Sequence, residues 1–506
     1  MKIKITKDGY FIAVTKKYDI KWFAVLEGAA YLAKTKHWFI PNTKANRKIL
    51  KRKGILSDLS VQKVRAVPKD LFTLLPKCLY DVQREALQFA YKNYGNCILA
   101  LDMGLGKTAI SLFYTVIEPS INCTVIVCPA SLKIQWKAQI KQWLHSEDVH
   151  IIYGRTSYKI PQVKFIIINY EIFKDHIDTI REVSPDLLIV DEIQNFQNHK
   201  ALRTKALYSL TKTIDRVLAL SGTPITKSPA QFFPILHILE PYIFSNEFIY
   251  KRRYCNAYQG RYGWVFDGVS NVEELREILS NIMIRRKKED CLDIPKKLII
   301  PIVFAFDYQQ SILYAEEEAR FLELSIKSEQ KKSLVHLQYL AYLGKRDEMF
   351  KWITDIIKTD KLVIFCEHRK IVEDIYEHFQ NTAVKYYGGM SDKQRQTAKK
   401  QFTQSKQLFI GNTTSAGIGL DGLQHVCSTV AFVELPWTAT RFDQATDRLW
   451  RSGQKNIVNV YVLMAEHSVE LHIMKILDKS RAVVEQIIDG KAVEEINFLK
   501  ELIKTY

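Results

Sequence analysis

No stretch of this 506-residue chain stays apolar for the ~18 residues that a membrane-spanning helix requires, and no membrane partner is expected. The opening residues, MKIKITKDGYFIAVTKK, have no sustained apolar core of the kind a secretory leader carries. The eight cysteines include no Cys-x-x-Cys pair. The nearest two, Cys123 and Cys128 in CTVIVC, are separated by an odd offset and face opposite sides of a strand. A zinc site and a disulfide framework are therefore not expected, and a reducing compartment is. There is no short internal repeat and no low-complexity segment, which sets aside repeat arrays and compositionally biased tracts.

What is present reads as an ordinary globular composition, 47% hydrophobic and 25% charged, with length enough for about three domains. The charge is not ordinary. The chain carries a net +18, and residues 1–70 hold seventeen Lys/Arg against five acidic residues, two thirds of that excess. Trp22, Phe23, Trp38 and Phe39 interleave with these lysines. Basic and aromatic side chains together suit a polyanion with stackable bases, so nucleic acid is the expected partner; a solvated, solubilising face is the alternative.

Three blocks follow from the pattern. Residues 1–75 form a basic N-terminal accessory module. Residues 76–295 alternate apolar strands (CILAL, TVIVC, FIIIN, LLIVD, VLALS) with amphipathic helices and end in the charge cluster RRKKED, the mark of a parallel α/β sheet. A strand-like KLIIPIVFAF and a long helical stretch occupy 296–360, read as a helical linker or insertion. A second α/β series (KLVIF, AVKYY, LFIGN, TVAFVEL, NVYVLM) fills 361–506, with a helical tail from His467.

Chemistry concentrates at three places. In NCILALDMGLGKTAISLFYTV, a buried strand turns at Gly104 and Gly106 and opens a helix at Lys107 and Thr108. Glycines there admit close backbone approach, and a helix N-terminus favours an anion. The lysine reaches nucleotide phosphates and the threonine hydroxyl holds Mg²⁺. The strict phosphate-loop pattern has a glycine six residues before the lysine, where this chain has Leu101; a glycine-rich turn with a solvated lysine is the alternative. In LLIVDEIQ, Asp191 and Glu192 end a strand, where the aspartate suits a metal and the glutamate suits deprotonation of water, or both are simply solvated acids. In RFDQATDRLWRSGQ, Arg448 and Arg451 are three residues apart, so on a helix they share a face. Arginines supplied from outside the loop stabilise phosphoryl-transfer charge; a structural pairing of Asp447 with an arginine is the alternative.

These segments, in this order, resemble the Swi/Snf family of ATPases within helicase superfamily two. LYDVQ resembles its adenine-reading motif, with Gln83 as the base contact. DMGLGKT resembles motif I almost letter for letter, so Leu101 is normal in that setting. CPASLKIQWKAQIKQW, INYEIF, DEIQ, SGTP, LVIFCEH, TTSAGIGLDGL and QATDRLWRSGQ resemble motifs Ia through VI. RRYCNAYQGRYGWVFDGVSNVEELREIL followed by IRRKKEDCLDIPKK is similar to the annealing-helicase, fork-remodelling branch, and YDIKWFAVLEGAAYLAKTKHWFIP resembles that branch's HARP module. The resemblance implies an α/β fold of two tandem RecA-like parallel-sheet lobes. It implies ATP and Mg²⁺ as cofactors, with Thr108 and Asp191 on the metal, Gln83, Gly104, Gly106, Lys107 and Thr108 on the nucleotide, and Glu192, Arg448 and Arg451 in catalysis. The function implied is a monomeric, DNA-dependent ATPase that tracks along double-stranded DNA and remodels branched DNA, acting beside replication or recombination proteins. The alternatives are a strand-separating helicase and a motor that displaces DNA-bound proteins. The expected location is the cytoplasm of a bacterial or phage-infected cell, or the nucleus of a eukaryote. Two departures stand out: Gln194 occupies a motif II position where the family carries histidine, and GLDGL replaces more apolar residues in motif V.

Overall fold

A computed structural model describes residues 3–5, 9–13, 28, 30–32, 37–41, 65, 67–68, 71, 75–76 and 79–478, apart from 215, 225–228, 242–243, 261–262, 267, 325–326 and 414–421. The chain divides into two compact units, Met1–Arg286 and Lys287–Tyr506. At the N-terminus, β1 (Ile3–Ile5), β2 (Gly9–Ala13), β3 (Ala30–Leu32) and β4 (His37–Pro41) pair antiparallel in the order β1-β2-β4-β3. Trp38 and Phe39 belong to β4; Trp22 and Phe23 lie outside the described residues.

The rest of the first unit is built on a parallel sheet. Its strands include β5 (Cys97–Leu101), β6 (Thr124–Cys128), β7 (Val149–Ile151), β8 (Phe165–Asn169), β9 (Leu187–Val190) and β10 (Val217–Ser221). A small antiparallel hairpin, β11 (Tyr258–Gly260) and β12 (Gly263–Val265), forms a sheet of its own before β13 (Met283–Arg286) joins the large one. The strand order is β13-β5-β10-β9-β6-β8-β7 and every pair is parallel. Every residue of β5, β6, β8, β9 and β10 is buried. A parallel sheet covered on both faces has no solvent side, so its strands read as unbroken apolar runs, as these five do. β7 and β13 escape that rule because each lies at an edge, and MIRR mixes apolar with charged residues. Helices α1 (Asp81–Lys92), α2 (Lys107–Ile117), α3 (Lys133–Leu144) and α4 (Glu247–Tyr254) lie in this unit.

The second unit opens with KLIIPIVF, which is strand β14 (Lys297–Phe304). It pairs along its full length with β19 (Val458–Ala465) and so belongs to the second sheet as its edge. Helices α5 (Tyr308–Glu323) and α6 (Lys327–Thr359) follow. Then come β15 (Leu362–Cys366), α7 (Arg369–Phe379), β16 (Ala383–Tyr386), α8 (Asp392–Gln404), β17 (Leu408–Asn412), β18 (Thr429–Phe432) and α9 (Ala439–Thr446). The sheet order is β14-β19-β18-β15-β17-β16, again all parallel. Along β15, Leu362, Ile364 and Cys366 enter one apolar core while Val363 and Phe365 enter another, so this sheet too is packed on both faces. The protein is thus α/β, with two parallel-sheet lobes.

One charge holds the second unit together from inside. Lys345 of α6 is fully buried. Its Nζ donates to the carbonyls of Val433 (2.8 Å) and Leu463 (2.6 Å) and pairs with Glu470 Oε1 at 2.5 Å. All three ammonium protons are used, and Glu470 Oε2 accepts from the Ala465 amide at 2.9 Å. Removing one member of such a pair leaves an uncompensated buried charge, whereas replacing both with apolar groups does not. Lys345→Ala should therefore cost about 3–5 kcal/mol in urea unfolding, and Lys345→Met combined with Glu470→Leu should recover most of it. A single variant as stable as wild type would contradict this.

Candidate functional site

The loop between β5 and α2 adopts the geometry its glycines allow. Gly104 (φ 91°) and Gly106 (φ 81°) both take the left-handed conformation. Gly106 is also pressed from behind: a Cβ there would lie 2.3 Å from Gln83 Nε2. Gln83, in the first turn of α1, donates from that Nε2 to the Leu105 carbonyl at 3.2 Å, and its Oε1 accepts from the Tyr80 amide at 3.1 Å. Gln83 thus braces the loop. Lys107 folds its amine back onto the loop carbonyls, donating to Leu101 at 2.6 Å and Asp102 at 3.2 Å. Burial holds its ammonium below the usual lysine range, against the pull of Glu192, Asp191 and Asp102. Thr108 occupies the second position of α2, whose unpaired N–H groups face the same loop.

Strand order brings the remaining residues of this unit to the same edge. β10 lies between β5 and β9, so Ser221, at the end of β10, separates the loop from Asp191. Asp191 is buried, and burial together with the neighbouring Glu192 charge pushes its carboxyl up to about 7. Trp136 of α3 and the Glu192 amide oppose this by donating to its two oxygens, each at 3.0 Å, and Lys107 adds its charge. Tyr170 donates to the Asp191 carbonyl. Glu192 sits at φ 48°, an uncommon conformation for a side-chain-bearing residue. Gln194 Nε2 donates to Glu192, while Gln194 Oε1 accepts from the Ser221 hydroxyl at 2.7 Å. Ser221 Oγ in turn accepts from the Thr223 amide at 3.0 Å. One line of hydrogen bonds therefore runs from Glu192 through Gln194 and Ser221 to Thr223. A neutral amide suits the middle of that line because it donates at one end and accepts at the other without a tautomer or a charge state to choose.

Trp136 and Tyr170 have no signal in the sequence that marks them as partners of Asp191. Nor does Arg285, which was legible only as part of a charge cluster. On β13, opposite Ala100, Arg285 pairs with Asp102 at 2.7 Å and donates to the carbonyls of Ala100 and Gly222, each at 3.1 Å. It ties the start of the phosphate loop to the turn that follows Ser221.

Arg448 and Arg451 belong to the second unit, and their setting differs from the helical spacing expected of them. Helix α9 ends at Thr446, and both arginines lie in the turns beyond it. The chain leaves the helical path because it is anchored from outside. Lys288 Nζ pairs with the buried Asp447, donates to the Trp450 carbonyl at 2.9 Å, and lies 4.0 Å from the centre of the Trp450 ring. Trp450 Nε1 donates to the Pro295 carbonyl at 2.7 Å, and Gln454 Nε2 donates to the carbonyls of Cys427 at 3.0 Å and Leu449 at 3.3 Å. The Asp447 partner is therefore a lysine from the RRKKED cluster. At the end of β15, His368 pairs with the buried Glu434 at 2.5 Å, which raises its imidazole above the usual range. Most of motif V, residues 414–421, lies outside the described residues, as do residues 225–228 after SGTP. No group of His, Cys, Asp and Glu suited to a metal ion occurs among the described residues, so the metal reading rests on Asp191 and Thr108 beside phosphate oxygens.

Comparison with known proteins places these observations. A profile described as the SNF2-related domain matches residues 82–352, and one described as the helicase conserved C-terminal domain matches residues 345–453. The chain is 29% identical over 441 residues to the SWI/SNF-related matrix-associated actin-dependent regulator of chromatin subfamily A-like protein 1 of Xenopus laevis, covering 83% of this chain and 45% of that protein. It is 27% identical over 449 residues to the human DNA annealing helicase and endonuclease ZRANB3, covering 82% of this chain and 40% of that one. The chain spans less than half the length of these relatives. A solved Sulfolobus solfataricus SWI2/SNF2 ATPase core in complex with double-stranded DNA aligns with 82% of this chain and 94% of its own at 23% identity and a TM-score of 0.40. With an SNF2-related match running over more than half of its length, the chain belongs to the SNF2-related family of helicase-type ATPases.

Proposed function

We propose that this protein is an ATP-dependent double-stranded DNA translocase that remodels branched DNA by branch migration, fork regression or strand annealing. The observation that carries the motor reading is the hydrogen-bonded line from Glu192 to Thr223 beside the phosphate loop. It joins the residue suited to activate water to the turn after β10. The remodelling reading rests on the resemblance of RRYCNAYQGRYGWVFDGVSN to the fork-remodelling branch and on the annealing helicase among the relatives.

The donor set fits a nucleotide with its metal. A carboxyl pushed up by burial gains from a nearby cation, and an amine satisfied only by loop carbonyls can exchange them for phosphate oxygens. ATP with Mg²⁺ supplies the phosphoryl group and the cation that neutralises its charge. Gln83 reads the adenine, while Gly104 and Gly106 let the backbone approach. Lys107 binds the phosphates, and Thr108 and Asp191 hold the metal. Glu192 takes the proton of the attacking water, and Arg448 and Arg451 stabilise charge in the transition state. Double-stranded and branched DNA are the partners; replication or recombination proteins join as context, and the working unit is a monomer. No helix among the described residues is long and apolar enough to cross a membrane. The site of action is the cytoplasm of a bacterial or phage-infected cell, or a nucleus.

Turnover on duplex, forked and single-stranded DNA tests the motor. Lys107→Ala should abolish ATP binding, and Glu192→Gln should bind ATP without hydrolysing it. Arg451→Ala should lower kcat by roughly 10³-fold or more with little loss of ATP affinity, as expected for an interaction made only in the transition state. Wild-type turnover by Arg451→Ala on saturating DNA would remove its assignment. No stimulation of the wild-type protein by any DNA would overturn the reading as a whole.

Gln194 gives a separate test of the relay. Replacing it with histidine makes one ring serve both neighbours and introduces a titratable group. Gln194→His should change the ratio of DNA-stimulated to basal turnover more than the basal rate itself. Gln194→Ala should lower that ratio by about tenfold, the worth of roughly 1–2 kcal/mol of lost hydrogen bonding. Equal effects on both rates would show that Gln194 does not couple the two.

A further inference from the structure

The hairpin β11–β12 and helix α4 build a surface that the nucleotide chemistry does not use. Gln259 stands opposite Trp264 in the hairpin register, and Phe266 follows two residues later, so Trp264 and Phe266 share a face. Their rings are nearly parallel, 16° apart, with centroids separated by 6.4 Å. Phe248, in the first turn of α4, meets both edge-on, at 5.6 Å from Trp264 and 5.9 Å from Phe266. This cluster is not sealed: Trp264 is 42% exposed and Phe248 43%. Cations border it. The exposed Arg252 guanidinium lies 5.7 Å from the Trp264 ring centre, and Lys251 Nζ lies 5.7 Å from that of Phe266. Lys251 is itself paired with Glu247 at 2.6 Å.

The base of the hairpin is pinned. Arg253 and Tyr254 both donate to Glu274, at 2.7 Å to the same oxygen, and Ser270 and Asn271 each donate to the Arg253 carbonyl at 2.7 Å. Rings already packed on one another lose little conformational entropy when their face is covered.

Aromatic faces bordered by cations recognise planar groups carried on a polyanion. Bases paired inside a duplex are stacked on both faces and offer none to an aromatic side chain; unpaired bases do. We propose that Trp264, edged by Phe248 and Arg252, stacks an unpaired base of single-stranded DNA, such as a branched junction exposes. The proposal deepens the branched-DNA reading above and rests on it for its ligand. The Arg252 guanidinium beside the ring, in a chain of net charge +18, favours nucleic acid over an apolar protein segment. Stacking on an aromatic surface is tolerant of sequence, so the surface would sense strand state rather than base identity.

The test uses the full chain with two DNAs of equal charge, a blunt duplex and a duplex bearing a single-stranded tail with 2-aminopurine at its first unpaired positions. Wild type should bind the tailed DNA roughly tenfold more tightly and quench the 2-aminopurine on binding. Trp264→Ala should remove both the preference and the quench. Trp264→Phe, which keeps a ring, should retain most of each. Arg252→Glu, an exposed substitution that cannot hollow a core, should reduce the preference severalfold. Blunt-duplex affinity and duplex-stimulated ATP turnover should stay within about twofold for all three variants. An unchanged preference in Trp264→Ala, or a parallel loss on both DNAs, would overturn the proposal and leave Trp264 a packing residue. If wild type shows duplex-stimulated turnover but no tail preference, the stacking surface is wrong and the motor stands. If the tail preference depends on Trp264 but no DNA stimulates turnover, the motor is wrong and the surface stands.

Discussion

Two adjacent carboxylates at the end of a buried strand are the constraint around which the first unit is arranged. Asp191 has little water to solvate it and Glu192 beside it, a combination that disfavours its ionisation. Everything packed against that strand end answers this problem. Trp136 and the Glu192 amide donate to the Asp191 oxygens, Tyr170 donates to its carbonyl, and Lys107 adds positive charge from the neighbouring loop. Glu192 takes a positive φ, and its carboxylate accepts a hydrogen bond from Gln194. The parallel sheet makes this possible, because it delivers β5, β10 and β9 side by side with their carboxyl ends on one edge.

Much of that edge was legible from the sequence. Strands buried on both faces announce themselves as apolar runs, and the residues that follow them are then the candidate site. Lys107, Thr108, Asp191 and Glu192 are read as candidate residues by that logic, and the strand order places them at one edge of the sheet. Gln194 was visible as a departure, but its meaning was not: only the placement of Ser221 on the intervening strand shows that the amide bridges two motifs. Partners supplied by non-local packing were invisible. Trp136 looks like any helix aromatic, and Arg285 and Lys288 look like members of a solvated charge cluster. Instead, each satisfies an acid far away in sequence, Asp102 and Asp447. The same anchoring defeats the helical reading of Arg448 and Arg451. Spacing predicts a shared face only while the helix continues, and Lys288 and Trp450 take the chain off that path after Thr446.

The second unit uses charge differently. Lys345 and Glu470 are sealed inside it and fasten α6 to the ends of β18 and β19. Glu434 accepts from the backbone amides of Glu367 and His368 as well as from the His368 ring, which fixes the turn at the end of β15.

The energetics of DNA bear on the proposed remodelling activity. Opening duplex without replacement costs on average ~1.4 kcal/mol per base-pair step in lost stacking, whereas moving a branch point exchanges old pairs for new at almost no net cost. A duplex-tracking motor then needs only to bias direction. The most direct test offers the protein two substrates under identical ATP and salt: a model fork with homologous arms, and a partial duplex with a single-stranded tail. Regression of the homologous fork with little unwinding of the tailed duplex is the predicted result. Efficient unwinding of the tailed duplex with no regression of the fork would contradict it.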